Sequence, residues 1–374
     1  MSILLLIVAL LLFVGLVVVH EFGHFIAARK SGVVVEEFGI GFPPRAWSKK
    51  LKSGLLLSLN WLPLGGFVKL KGEHDADTTK GSYGAAPLGS KVLIMLAGVA
   101  MNLMAAFILL TALALIGMPK IIENQFTVQS DTRVIKSDVL VGYVEPGSPA
   151  DKAGLQQRDK IKAISNDTES ITVRSSEELP TITENFAGQT VTLSIVRDGI
   201  ELQKKASLRS AQQVEESKKT DEPKGYIGLA PTEYTLRRST WSAPIVAAGL
   251  IKQLTIATFN GLGSAIGGLL TGNTAQASSQ VSGPVGIFVL LKDGSLLGVE
   301  FVLMIIAIIS LTLAIMNFLP IPALDGGRLF VTLLYRILRR DLTQKAEDRI
   351  HGTGFAVLML LFVLITIVDV RRFW

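Results

Sequence analysis

His20-Glu21-Phe22-Gly23-His24 closes an unbroken apolar run that begins at Ile3 and reaches Val19. One helical turn separates the two histidines, so both imidazoles lie on one face with a carboxylate beside the first. Such a pair can hold Zn²⁺, with Glu21 placed to take the proton of a water whose pKa the ion lowers to roughly 7 and to return it to a leaving amine. The motif alone recurs by chance in large sequence sets, but its setting adds weight. Ionisable groups continuing an apolar helix are costly unless they face an interior site or a partner. A polar helix end snorkelling into the membrane interface is the plainer reading.

The rest of the chain agrees with a membrane setting. Of 374 residues, 49% are hydrophobic and only 18% charged, and the mean hydropathy is +0.46. Four apolar runs, at 3–19 continuing to 28, 92–118, 296–319 and 355–368, suit bilayer crossings of roughly 20 residues each. No Lys or Arg precedes the first run, so it reads as a retained helix rather than a cleaved leader. The net charge of +6 is concentrated at 29–91 and 328–349, both bordering apolar runs. This is a positive-inside pattern rather than a nucleic-acid surface. It places those two segments in the cytoplasm, and the N-terminus, residues 120–292 and the C-terminus outside. With no cysteine, disulfides and thiolate metal sites are excluded.

Between the first two runs, Val33-Val34-Val35-Glu36-Glu37-Phe38-Gly39-Ile40-Gly41-Phe42 and the stretch from Leu55 to Lys69 predict a small β-sheet near the membrane. Residues 72–88 read as a loop. A soluble module of short strands, with one helix starting near Pro149, is expected at 125–208. Residues 211–224 have linker composition. Residues 241–271, weakly apolar and rich in Gly and Ala, suit the membrane surface; a fifth crossing is the competing reading. The expected divisions are 1–118, 125–208, 209–292 and 293–374.

A catalytic zinc takes three protein ligands and keeps one open position. Extending the motif to H-x-x-G-x-x-H fails, because Ala27 and Lys30 stand at those places. Glu36 and Glu37 are near but lie on the predicted strand. Asp325, the only acidic residue between Phe301 and Arg340, sits where an apolar run breaks at Pro320 and Pro322. An apolar run rarely keeps a carboxylate without a partner; a helix N-cap is its plainer role.

His20-Glu21-Phe22-Gly23-His24 together with Asn317-Phe318-Leu319-Pro320-Ile321-Pro322-Ala323-Leu324-Asp325-Gly326-Gly327 resembles the site-2 protease family, in its bacterial branch that cleaves membrane-bound anti-sigma factors. The likeness extends through Phe38–Phe42, Pro63–Lys69, Ala97-Gly98 with Asn102, and Ser282–Ile287, most of the chain. It implies zinc held by His20, His24 and Asp325, with Glu21 as the catalytic base. It also implies that Asn317, Pro320 and Pro322 position the substrate and that the strand around Gly39-Ile40-Gly41 pairs with it. The last role has a physical rationale. A transmembrane helix hides its peptide bonds in internal hydrogen bonds, so an unwound segment needs a sheet edge to re-satisfy its backbone. An ordinary tight bend is the plainer reading of those glycines.

The soluble module resembles a PDZ domain in Val144-Glu145-Pro146-Gly147-Ser148-Pro149-Ala150-Asp151-Lys152-Ala153-Gly154-Leu155 and in the run from Gly188 to Leu193 and on through Arg197-Asp198-Gly199. The resemblance implies a substrate filter; a structural spacer is the bland alternative. Relatives often carry two such domains, where this chain has room for one. Arg158 and Val99 stand where a glycine and a proline are common.

The expected architecture is a polytopic α-helical membrane protein with four transmembrane helices, a membrane-associated β-sheet and an inserted extracytoplasmic PDZ domain of α+β type. The expected activity is zinc-dependent cleavage of transmembrane segments of single-pass proteins, anti-sigma factors or remnant signal peptides, in a bacterial inner membrane. The active site would face the cytoplasmic side, with membrane lipid and no nucleic acid as partners. The rivals are a zinc hydrolase acting at the membrane surface and a non-catalytic PDZ scaffold.

Overall fold

Where apolar residues follow one another without turn residues, the chain forms long helices. The structure, a computed structural model, describes residues 2–197, 199–220, 222–273, 276, 278 and 282–373. It divides into two units, one of Met1–Met118, Gln125–Val128 and Ser239–Trp374, the other of Pro119–Asn124 and Gln129–Arg238.

In the first unit, helix Ser2–Lys30 carries no acidic residue in its first turn and ends on Arg29 and Lys30, the cations favoured at a helix C-terminus. At 1.5 Å per residue its 29 residues are about 43 Å long, more than a hydrocarbon core requires. The second long helix is Leu88–Ile116. A Cβ on Gly23 would lie 2.5 Å from the Ala97 carbonyl oxygen, so glycine lets these two backbones close up. Ala9 and Leu16 pack with Leu291, Val302, Ile305 and Ile306 in a second apolar cluster, which joins the first helix to Pro284–Ser295 and Val299–Phe318.

Five helices among the described residues are long and apolar enough to cross a membrane, against four expected. The addition is Ala243–Leu270, one continuous helix and the least apolar of the five. Its Gly and Ala content lets Val246, Ala247, Leu250 and Leu254 bury on one face. The last helix, Gln344–Phe373, supplies Asp369, which is buried and accepts the Gly283 and Gly286 N–H groups, both at 2.8 Å. That carboxylate caps Pro284–Ser295 and accounts for the glycines flanking Pro284.

The predicted β-region is present as β1 (Val35–Lys50) and β2 (Leu56–Leu70). Both strands fold back on themselves, so Glu37–Ile40 has partners on two flanks. Leu56–Leu59 stands on one and Gly66–Lys69 on the other. Gly39 and Ile40 are therefore interior to the sheet, and the expectation that they offer a free edge to a substrate is corrected. The glycines serve packing. The Phe67 ring covers Gly39 and the Phe42 ring covers Gly65, where a Cβ has no room. Gly41 has φ +79, a conformation glycine takes without strain. Trp47, Leu59, Trp61 and Leu62 are exposed, as suits a hairpin wetted by lipid and headgroups.

The loop after β2 carries a buried ionic contact. The ammonium of Lys91, fully buried, pairs with Asp75 and lies 5.4 Å from the Tyr83 ring centre. Burial pushes the Tyr83 phenol well above its ordinary range. Glu347 of the last helix accepts the Asp75 N–H at 2.9 Å.

The second unit is a sheet in the order Leu229–Arg238, Arg133–Val144, Lys160–Ser165, Thr190–Arg197, Ile200–Ser207, with Ser170–Thr172 beside Lys160–Ser165. Val141, Ile161, Ile164, Leu193 and Phe186 form its core. Ser148 caps the short helix Pro149–Lys152 through the Asp151 N–H. Arg158 takes φ +75, so the residue standing in place of a glycine adopts the left-handed backbone that glycine favours. Asp198 of the expected closing turn lies outside the described residues. Residues 211–224, of linker composition, instead hold a helix, Ala211–Ser217, with a Ser210/Gln213 capping box. The unit runs on to Arg238, because Leu229–Arg238 pairs with Arg133–Val144. Parts of the expected 209–292 segment, residues 221, 274, 275, 277 and 279–281, lie outside the described residues.

Candidate metal centre

The two motif histidines project from one face of the Ser2–Lys30 helix, as their spacing requires. They lie over Gly98 of the second helix, where a Cβ would sit 2.7 Å from His20 Cε1. His24 Nδ1 is 2.7 Å from the Ile94 carbonyl oxygen. That oxygen can only accept, so Nδ1 carries the proton and Nε2 presents its lone pair.

Asp325 arrives from the other end of the chain. Helix Val299–Phe318 stops at Leu319, and Pro320 and Pro322 prevent its continuation. Ala323 takes φ +79 and gives its N–H to His351 Nδ1 at 3.2 Å. Asp325 then begins helix Asp325–Ile337, whose N-cap is Leu324. The N-cap role considered for Asp325 is thus not the one observed, and its carboxylate turns to the histidines. Gly326 and Gly327 lie so close to the carbonyls of Phe318 and Ile321 that neither site accommodates a Cβ.

Asp325 Oδ2 is 3.0 Å from His20 Nε2 and 3.1 Å from His24 Nε2, and the two Nε2 atoms are 3.2 Å apart. Among the described residues these three form a group able to hold a metal ion. Four-coordinate zinc with bonds near 2.0–2.1 Å separates its ligand atoms by about 3.3 Å, so a small opening of this triangle accommodates the ion. The donor set of two imidazoles and one carboxylate matches a zinc site with an open position. Both histidines are less than a tenth exposed.

Glu21 stands beside the triangle. Gly66 is the neighbour whose missing Cβ makes room for it. A cavity of about 540 Å³ opens here, lined among others by Glu21, His24, Phe67, Val68, Asp325 and Arg328. The strand along the site is therefore Gly66–Leu70, one removed from Gly39–Gly41. Asn317 donates to the Leu313 carbonyl of its own helix at 3.1 Å. Asn60 was not singled out by the sequence, yet it secures the glycine strand by donating to the Gly41 carbonyl at 3.1 Å. Asn102 and His351 are further residues of the site without a role assigned from sequence. The i, i+4 spacing of Gly98 and Asn102 was the available signal for the first; His351 acts on a backbone N–H, which leaves no motif.

A family model described as "Peptidase family M50" matches residues 8–361. A Clostridium perfringens protein named as a zinc metalloprotease is 31% identical, covering 97% of both chains. The zinc metalloprotease RasP of Shouchella clausii is 26% identical over 96% of this chain and 97% of its own. A protein of Enterococcus faecalis named as the protease eep is 25% identical, with coverage of 96% and 97%.

Proposed function

The chain belongs to peptidase family M50 and is an intramembrane zinc metalloprotease; from that premise we propose that His20, His24 and Asp325 hold the zinc and Glu21 is the catalytic base. The observation that carries this reading is the convergence of three ligand atoms from residues 305 apart beside a carboxylate facing an open cavity. Zinc, when bound, polarises the scissile carbonyl and activates water. Glu21 takes the water's proton and delivers it to the departing amide nitrogen, which must leave protonated. Glu21 and Val68 line the cavity together.

The substrates we infer are single-pass membrane proteins, of anti-sigma-factor or remnant-signal-peptide type, cleaved within or near their transmembrane helix. An unwound segment needs partners for its peptide groups in a membrane. Since both flanks of Gly39–Ile40 are taken, the segment lies along Gly66–Lys69, with Asn317, Pro320 and Pro322 bordering the site and Gly39–Gly41 supporting it from behind. The second unit is a single PDZ domain, extracytoplasmic, that filters substrates. The active site faces the cytoplasm of a bacterial inner membrane.

The test is cleavage of a panel of single-pass substrates and of soluble peptides by purified wild type and Glu21→Gln. Wild-type cleavage confined to membrane-helix substrates and absent from Glu21→Gln supports the reading. Equal turnover of soluble peptides supports a surface hydrolase instead.

A further inference from the structure

Asn102 lies on the Leu88–Ile116 helix, 99% buried, and no part of the proposed chemistry uses its side chain. Its Nδ2 is 3.2 Å from His20 Nδ1, and its Oδ1 is buried without a partner among the described residues. Its backbone carbonyl accepts Ser310 Oγ of the Val299–Phe318 helix at 2.8 Å. The residue thus ties its own helix to the one that carries His20 and His24 and to the one that leads into the Asp325 turn.

We propose that Asn102 is a positioning residue for the metal centre, its side-chain oxygen holding His20 by the Nδ1–H and keeping Nε2 aimed at Asp325 and His24. The inference rests on the reading that these three residues bind zinc. An imidazole that gives its Nε2 lone pair to a metal carries its remaining proton on Nδ1. The atom facing Nδ1 must then accept, and an NH₂ group cannot. Oxygen and nitrogen of an amide differ only by a half-turn about the terminal bond. Turning Asn102 places its otherwise unpartnered oxygen on the donor and its NH₂ where the oxygen stood. His24 is held in the same manner by the Ile94 carbonyl, so each motif histidine has one fixed acceptor behind it. Such supports orient the ring, and their loss typically weakens metal binding 10–100-fold.

The experiment is a zinc competition titration on the purified full chain in detergent, stripped of metal and titrated against a chromogenic chelator. Asn102→Leu keeps the volume and removes the acceptor; the expected result is a Kd raised roughly 10–100-fold. Asn102→Asp keeps an acceptor at the same place and is expected to bind at least as tightly as wild type. The Ser310 contact runs through the main chain and survives both changes, so the affinity reports the side chain. Wild-type affinity in Asn102→Leu overturns the proposal, as does an Asn102→Asp variant as weak as Asn102→Leu. If Asn102→Leu does not fold, Asn102→Ala takes its place, and equal affinity of the Ala and Asp variants overturns it. Undiminished affinity in His20→Ala would instead remove the zinc assignment itself, a separate failure.

Discussion

Gly98→Ala adds one methyl group at the point where both imidazoles meet the second helix. The new Cβ would press closest on His24 Nε2 and lie 2.7 Å from His20 Cε1 and Nε2, where ordinary contacts begin near 3.4 Å, so the His20 ring or the helix must move by at least about 0.7 Å and the His24 ring by more. Relief by backbone movement is opposed on the other side of the interface, because Gly23 already abuts the Ala97 carbonyl. Overpacking of this size costs about 1–3 kcal/mol in stability. The effect on metal falls at the upper end of that range, since zinc–ligand distances tolerate only about ±0.2 Å. A loss of zinc affinity of about 100-fold or more follows, equivalent to about 2.8 kcal/mol at 1.4 kcal/mol per tenfold. The assay is zinc competition on detergent-purified protein alongside a thermal melt, with Gly15→Ala as control, a position where a Cβ meets nothing within 4 Å. Wild-type zinc affinity in Gly98→Ala would refute the packing of the histidines on that glycine.

Three further outcomes are expected. Asp75→Ala strands the buried Lys91 ammonium and should lower stability by about 3–5 kcal/mol, while adding Lys91→Met should recover most of it in the same melt; a double variant no better than the single would contradict the pairing. Asp369→Ala removes a buried charged acceptor from two N–H groups. Hydrogen bonds of this kind are worth about 1.5–3 kcal/mol each, so the melting temperature should fall, and an unchanged melt would discount the cap. Gly41→Ala forces a side chain into φ +79 with its Cβ 2.7 Å from the Leu62 oxygen; cleavage should drop while zinc per chain stays at the wild-type value, and joint loss of both would deny that β1 acts apart from the metal.

The candidate residues stood out because each of them breaks a local rule. His20, Glu21 and His24 are ionisable groups on an apolar helix, and Asp325 is a lone carboxylate at a proline break. Neither pattern says that residues 305 apart meet, and the resemblance to a known family supplied that step. The edge status of Gly39–Ile40 was not legible, since strand pattern reports which face is buried and not which neighbours flank a strand. That residues 243–270 form one continuous helix was harder to read, because small residues lower hydropathy while permitting close helix packing. The helix at Ala211–Ser217 could have been found: Ser210 followed three residues later by Gln213 is a capping box, overlooked among the charged residues around it. Asn102 was visible only as part of a motif, its role depending on which nitrogen of His20 carries a proton.

The most direct test of the central claim is zinc per chain, measured by elemental analysis of purified wild type, Asp325→Asn, His20→Ala/His24→Ala and Glu21→Gln, with cleavage followed in parallel. The account predicts about one zinc in wild type and in Glu21→Gln, with cleavage only in the former, and loss of zinc in the other two. Full zinc occupancy in Asp325→Asn together with undiminished cleavage would contradict it.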